Sequence, residues 1–216
     1  MKKVAVILSG SGVYDGAEIN EAVLTLLHIA KQGASYQCFA PDREQMHTIN
    51  HLTGEVTVEK RNILVESARI ARGEISPLTE LSPVDFDAVV LPGGFGAAKN
   101  LCDFAINGKD AAISPDIKTS LLDFSDANKP IGYMCIAPAL IPHIHPKQTK
   151  LTIGTDQDTA NAIEQVGGVH VNCSVTDIVI DEKEKVVTTP AYMLAQNLVE
   201  ADEGIEKLII ALLDMA

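Results

Sequence analysis

Basic residues are scarce in this chain. Its 216 residues include 17 Lys and Arg against 29 Asp and Glu, a formal charge of -12. Affinity for a phosphate backbone comes largely from Lys and Arg, so no nucleic-acid partner is expected. The same imbalance argues against docking on anionic membranes. No apolar run approaches the roughly 20 residues needed to span a bilayer. Met1-Lys2-Lys3 before Val4-Ala5-Val6-Ile7-Leu8 imitates the start of a signal peptide. That run stops at Ser9-Gly10-Ser11-Gly12, too short for the apolar core of a leader, and reads better as a buried first strand. Cysteines are few and widely spread: Cys38, Cys102, Cys135 and Cys173, with no CxxC pair. A structural zinc site is therefore disfavoured, and a reducing cytoplasm is the expected compartment. Asn172-Cys173-Ser174 matches a glycosylation sequon only by chance if the chain is not secreted.

Phosphate-binding loops are missing as well. No GxxxxGK[ST] motif occurs. Gly10-x-Gly12 resembles the start of a dinucleotide fingerprint, with Asp42 as a candidate ribose acid, but the third glycine is replaced by Asp15. A carboxylate there would repel a pyrophosphate. The loop reads as a turn between strand and helix.

What is present is alternation. Hydrophobic residues make up 46% and charged residues 21% of the chain, ordinary values for a globular protein, and the length favours one domain over residues 1–216. Apolar runs at 3–8, 35–40, 87–91 and 130–134 read as buried strands. Residues 17–32, 62–71, 117–127 and 155–166 read as helices. In the first of these, Ile19, Val23, Leu26, Leu27 and Ala30 form the expected core face. A hairpin is expected around Thr53-Gly54, short strands at 151–153 and 169–173, and a second hairpin from 178–181 and 185–189. Residues 193–215 form one helix or two, with Gly204 as a candidate break. The fold class is α/β, a mostly parallel sheet with helices on both faces.

In such sheets ligands bind beyond the carboxyl ends of the strands. That rule selects three segments: the loop 10–16, Pro92-Gly93-Gly94-Phe95-Gly96, and Cys135. The run Gly132-Tyr133-Met134-Cys135-Ile136-Ala137-Pro138 turns directly from strand into helix, which puts Cys135 on a sharp elbow. A thiol at a helix N-terminus has its thiolate favoured, and Gly132 leaves room for a close backbone approach. A buried cysteine acting as a small hydrophobe fits the pattern equally. Glu18 and Glu21 lie in the first turns of the first helix, where acids suit the helix dipole. At the same sheet edge, either carboxylate could also exchange a proton with the thiol. Gly93 and Gly94 could offer N–H groups to a developing oxyanion. No histidine is placed to take a role.

The combination of motifs resembles a known group. It rests on the segments 8–21 (LSGSGVYDGAEINE), 91–101 (LPGGFGAAKNL) and 132–138 (GYMCIAP), and extends through 151–156 and 187–197. These resemble the ElbB group of the PfpI and class I glutamine-amidotransferase-like superfamily, over nearly the whole chain. The resemblance implies a flavodoxin-like three-layer sandwich, usually a homodimer, with an elbow cysteine paired to a glutamate of the first helix. By position Glu21 fits that partner better than Glu18, and Gly93, Gly94 and Ile136 take the oxyanion and substrate-binding positions. The implied activity is a slow glyoxalase turning a small dicarbonyl into a hydroxy acid, with no cofactor and no metal.

The chain departs from the catalytic members of the superfamily in one respect. The histidine that follows the cysteine in PfpI-type proteins is Ile136 here. The His-x-Glu pair that amidotransferases carry late in the chain is also missing, which argues against ammonia transfer. Two readings therefore stand side by side: a cysteine-dependent glyoxalase, and a redox-sensing or regulatory binding protein in which Cys102 could resolve an oxidised Cys135.

Overall fold

The computed structural model describes residues 1–216. Five strands run parallel: β1 (Lys3–Ile7), β2 (Ser35–Ala40), β3 (Ile75–Pro77), β4 (Ala88–Leu91) and β5 (Ile131–Met134). A separate two-stranded piece pairs β6 (Lys150–Leu151) with β7 (Val169–His170). The hairpin of β8 (Val179–Asp181) and β9 (Val186–Thr189) completes the main sheet, with β9 parallel to β5 and β8 antiparallel at the edge. The order of the seven strands is β3-β2-β1-β4-β5-β9-β8.

The sheet is buried on both faces, and its strands divide their side chains by the period of two. Ala5, Ile7, Val89, Leu91, Ile131 and Tyr133 enter one core; Val4, Val6, Ala88, Val90 and Met134 enter the other. The first core is covered by α4 (Pro115–Asp126), through Ile117, Leu121 and Phe124. The short helices α3 (Phe104–Asn107) and α5 (Ile141–Ile144), with α6 (Gln157–Gln165), also lie on that side. The second is covered by α1 (Ile19–Lys31), α2 (Ile63–Ile70) and α7 (Leu198–Met215), the last through Ile205, Leu208, Ile209 and Leu212. These three layers are a flavodoxin-like α/β fold, as the sequence led one to expect. None of the helices is long and apolar enough to cross a membrane.

Several local expectations hold. Asn62 caps α2 by accepting the Val65 N–H, and the hairpin near Gly54 closes through an Ile49–Val56 bridge. Others do not. In α1 the buried side is Glu21, Ala22, Leu24, Thr25, His28 and Ile29, while Ile19, Val23 and Leu27 are 43–49% exposed. The apolar stripe is the outer face. The inner face packs on α7, where buried His28 places Nε2 2.7 Å from Asp202 and Nδ1 3.6 Å from Glu206. Helix α7 does not break at Gly204, which instead lets it approach the sheet edge: a Cβ there would lie 2.5 Å from the Val175 carbonyl. Gly132 likewise makes room for α7, since a Cβ would meet Leu208 and Val90, and it gives no space at the elbow.

Candidate functional site

The strand order reverses around β1, which pairs with β2 on one side and β4 on the other. A crevice opens at such a switch point, beyond the carboxyl ends. The loops after β1, β4, β5 and β9 all converge there.

Cys135 sits on the loop after β5 with φ +59, a left-handed conformation that a non-glycine residue adopts only when its surroundings hold it. Its own N–H is spent on the Thr189 carbonyl at 3.0 Å, which pins the elbow to the end of β9. The chain then enters a 3-10 turn at Ala137–Leu140 and only afterwards the four-residue α5. The helix expected over residues 136–144 is thus split into a 3-10 turn and one α-helical turn, which gives the thiol little of the dipole expected to favour the thiolate. Cys135 as a residue is 7% exposed. Burial first, and then the charge of Glu21, push it well above the ordinary thiol range; N–H groups of Gly94 and Ile136 act on the sulfur in the opposite sense. The expected low-pKa resting thiol is thus corrected: desolvation outweighs the donors.

Glu21 is the residue that meets it. Its carboxylate is fully buried, and its two oxygens are shared between loops: Oε2 accepts the Gly93 N–H at 2.8 Å and Oε1 accepts the Tyr192 N–H at 3.1 Å. A Cβ placed on Gly93 would fall 2.4 Å from Cys135 Cβ and 2.8 Å from Glu21 Oε2, so only glycine fits between them. Burial first, and then the charge of Glu18, raise Glu21 to about 7 against the opposing pull of the N–H groups and the Cys135 thiol. Glu18 stands apart. It caps α1, accepting the Glu21 N–H at 2.7 Å, and lines the rim of the cavity half-buried. The pair expected from the sequence is therefore Cys135 with Glu21, while Glu18 frames the entrance.

The glycine loop after β4 is zipped to the loop after β1. Gly93 O accepts from Glu18 N–H, Phe95 N–H donates to Val13 O, and Gly96 N–H donates to Gly16 O. Gly94 takes φ +84, and a Cβ there would overlap the Glu18 nitrogen. This turn aims the Gly94 N–H at the sulfur. Asn100 holds the assembly from below, a residue the sequence reading passed over. Its Nδ2 donates to Ser9 O and Asp15 O, and its Oδ1 accepts the Met46 N–H. It lies in a π-helical turn at Ala97–Leu101, a rare conformation that often marks a functional site. Asp15 closes the first loop by accepting the Ile49 N–H at 2.6 Å, which leaves no cradle for a pyrophosphate.

Above Cys135 lies a cavity of about 370 Å³, walled by Val13, Phe95, Ala98, Phe104, Ile136 and Met193. No Lys, Arg or His lines it. The Sγ of Cys102 lies buried against the Ala97 carbonyl and does not line the cavity. Of the histidines, His145 is buried under Tyr133 at 3.0 Å, and His28 and His51 serve other elements. The sequence reading also missed Tyr192, whose backbone completes the seat of Glu21; the only signal was its place in the matching 187–197 segment.

No protein-family model matches the chain. Curated relatives do. A rat protein named ES1 protein homolog, mitochondrial, is 44% identical over 223 residues, covering 99% of this chain and 84% of its own length. A human glutamine amidotransferase-like class 1 domain-containing protein 3, mitochondrial, is also 44% identical, covering 99% and 83%. The crystal structure of an isoprenoid biosynthesis protein with an amidotransferase-like domain from Ehrlichia chaffeensis superposes with a TM-score of 0.93 at 37% identity, over 100% and 99% of the two chains. Glyoxalase III from Candida albicans shares the fold at a TM-score of 0.62 and 15% identity, over 98% and 97%. These findings overturn the cytoplasmic expectation, because the curated relatives are mitochondrial proteins. The chain belongs to the ES1 family of proteins with a class 1 glutamine amidotransferase-like domain.

Proposed function

We propose that this protein is an ElbB-type glyoxalase, which converts glyoxal or methylglyoxal to the corresponding hydroxy acid. The observation that carries the reading is Glu21: a carboxylate raised to about 7, held against the Cys135 thiol and beneath an apolar cavity. A general base is most effective when its pKa lies near the working pH.

The reaction runs as follows. Glu21 takes the thiol proton as sulfur bonds to the aldehyde carbon. The carbonyl electron pair moves onto oxygen, where the N–H groups of Gly94 and Ile136 receive it. That oxygen then takes the proton from Glu21, giving a hemithioacetal. Glu21 next removes hydrogen from the sulfur-bearing carbon as a proton and returns it to the neighbouring carbon through an enediol, while the hydroxyl proton of the first carbon passes to the oxygen of the second. The first carbon is thereby oxidised to a thioester and the second reduced to an alcohol, with no outside oxidant. Water adds to the thioester, glycolate leaves, and the thiol is restored.

Burial helps the first step, because the proton transfer neutralises a desolvated carboxylate. It also limits the rate, because the thiol must ionise inside the protein. A redox-sensing thiol fits less well, since burial holds Cys135 well above the ordinary thiol range and Cys102, turned to the Ala97 carbonyl of its own loop, is not placed to resolve it. The proposal includes a homodimer, to which the outward stripe of Ile19, Val23 and Leu27 on α1 offers an apolar face.

Purified protein incubated with glyoxal should form glycolate, and Cys135→Ala should not. Wild-type protein producing no more glycolate than Cys135→Ala would overturn the assignment.

A further inference from the structure

We infer that the Cys135 cavity selects uncharged carbonyl compounds bearing a bulky apolar substituent, such as aryl or branched-alkyl 2-oxoaldehydes, and rejects those carrying a carboxylate. This rests on the glyoxalase reading for the identity of the reacting group, and on the cavity alone for the rest of the molecule. Glyoxal has no substituent to fill a cavity of about 370 Å³. A dry apolar cavity of roughly 150 Å³ already accepts benzene.

The wall is built to hold such a group. Phe95, on the loop after β4, and Phe104, the first residue of α3, line the cavity together with Ala98, Ile136 and Met193. Phe104 is half-buried and packs on the first core, so it is a fixed wall and not a free surface side chain. An apolar substituent entering here leaves water, and one methylene more or less in a hydrophobic pocket changes selectivity by roughly 10–200-fold.

Charge works in the other direction. The ionisable side chains around the cavity are Glu18 at the rim, Glu21 beneath, Cys135 itself and the Tyr192 phenol. Lys99 is not among the residues that line the cavity: its Nζ stands 5.1 Å over the Phe95 ring and donates to the Tyr14 carbonyl. It lines a separate small recess with Tyr14 and Ile49. A carboxylate brought to Cys135 would lose its water, find no positive partner and face two acids. Burying such a charge unpaired is strongly unfavourable. The same logic excludes an amino-acid substrate such as glutamine, whose carboxylate needs a cation in the site.

The experiment measures Cys135 alkylation and turnover side by side. Rates with N-phenylmaleimide, N-methylmaleimide, iodoacetamide and iodoacetate are each divided by the rate of the same reagent with a small free thiol. The phenyl over methyl ratio should exceed one by on the order of tenfold, as should the amide over acetate ratio. Phe104→Ala should bring the phenyl ratio down towards one. In turnover, phenylglyoxal should outperform 4-carboxyphenylglyoxal by a comparable factor. Normalised ratios near one, or a preference for the carboxylates, overturn the inference. A protein that turns over no 2-oxoaldehyde yet keeps both alkylation ratios removes the glyoxalase reading and leaves the cavity's selectivity standing.

Discussion

The backbone N–H of Tyr192 donates to Oε1 of Glu21 at 3.1 Å, joining the first helix to the turn after the last strand across 171 positions of sequence. The second oxygen of the same carboxylate is held by Gly93. Glu21 therefore cannot swing away from Cys135 without giving up both donors, and its fixed position gives the site a definite pH behaviour.

The proposed base must be ionised to accept the thiol proton. With Glu21 raised to about 7, kcat/KM for glyoxal should climb as pH rises through about 7. Glu21→Gln should remove this limb and lower turnover by roughly 10²–10⁴-fold. A pH–rate profile of both proteins checks it; an unchanged limb in the variant would show that another group titrates.

Stability should follow the opposite course. A carboxylate whose folded pKa lies above its unfolded value of about 4.5 contributes fully below 4.5, and that contribution is lost as pH rises through about 7. The span corresponds to roughly 3 kcal/mol between the two extremes. Glu21→Gln lacks this titration, but its amide must turn an NH2 towards either Gly93 N–H or Tyr192 N–H, at a cost of about 1–3 kcal/mol. Urea unfolding at pH 4.5 and pH 8 should show the wild type losing its advantage over the variant on going up in pH. A difference independent of pH would contradict the raised pKa.

Gly93→Ala tests the close approach. The new methyl would sit 2.4 Å from Cys135 Cβ and 2.9 Å from the Met134 carbonyl, neither of which is the free end of a flexible chain. Overpacking of this kind costs about 1–3 kcal/mol and separates thiol from carboxylate. A lower melting temperature together with loss of glycolate formation is expected; wild-type activity in this variant would mean that the contact is dispensable.

All four thiols are buried, yet they should react in a definite order. Cys38 lies inside β2 and is pushed up to about 12 by burial, and Cys102 and Cys173 to about 11. Cys135 alone of the four opens onto the 370 Å³ cavity, so access should favour it in spite of its raised pKa. Iodoacetamide near neutral pH, read by peptide mass, should modify Cys135 first. Earlier modification of Cys38, Cys173 or Cys102 would refute the geometry.

Much of this was legible in the sequence because buried parallel strands announce themselves as continuous apolar runs. Residues 3–7, 88–91 and 131–134 are such runs, and the rule that ligands gather at their carboxyl ends led to Gly93, Gly94 and Cys135. Helix α1 was misread because hydrophobic spacing finds an apolar stripe without saying which way it faces. Ile19, Val23 and Leu27 look like a core face, but the buried side carries Glu21, Thr25 and His28: Thr25 bonds back to the Glu21 carbonyl one turn earlier, while Glu21 is held by Gly93 and Tyr192 and His28 Nε2 by Asp202, partners that only the fold supplies. The thiol's pKa was misjudged for a similar reason. Its neighbours in sequence suggested a helix N-terminus, whereas its surroundings in space are an enclosed pocket and a carboxylate.

The convergence of four loops has a consequence for how the molecule comes into being. Glu21, Gly93, Cys135 and the turn at Tyr192 are brought together by β1, β4, β5 and β9, whose pairings are non-local. Closing such long loops is entropically slow, and chains rich in distant contacts fold late and all together. No early hairpin or helix can hold this site in partial form. Until the turn after β9 docks, Glu21 lacks one of its two donors, and a buried carboxylate so exposed to desolvation opposes the collapse around it. Chemical activity should therefore emerge at the last stage of folding and act as a reporter that the whole sheet has closed.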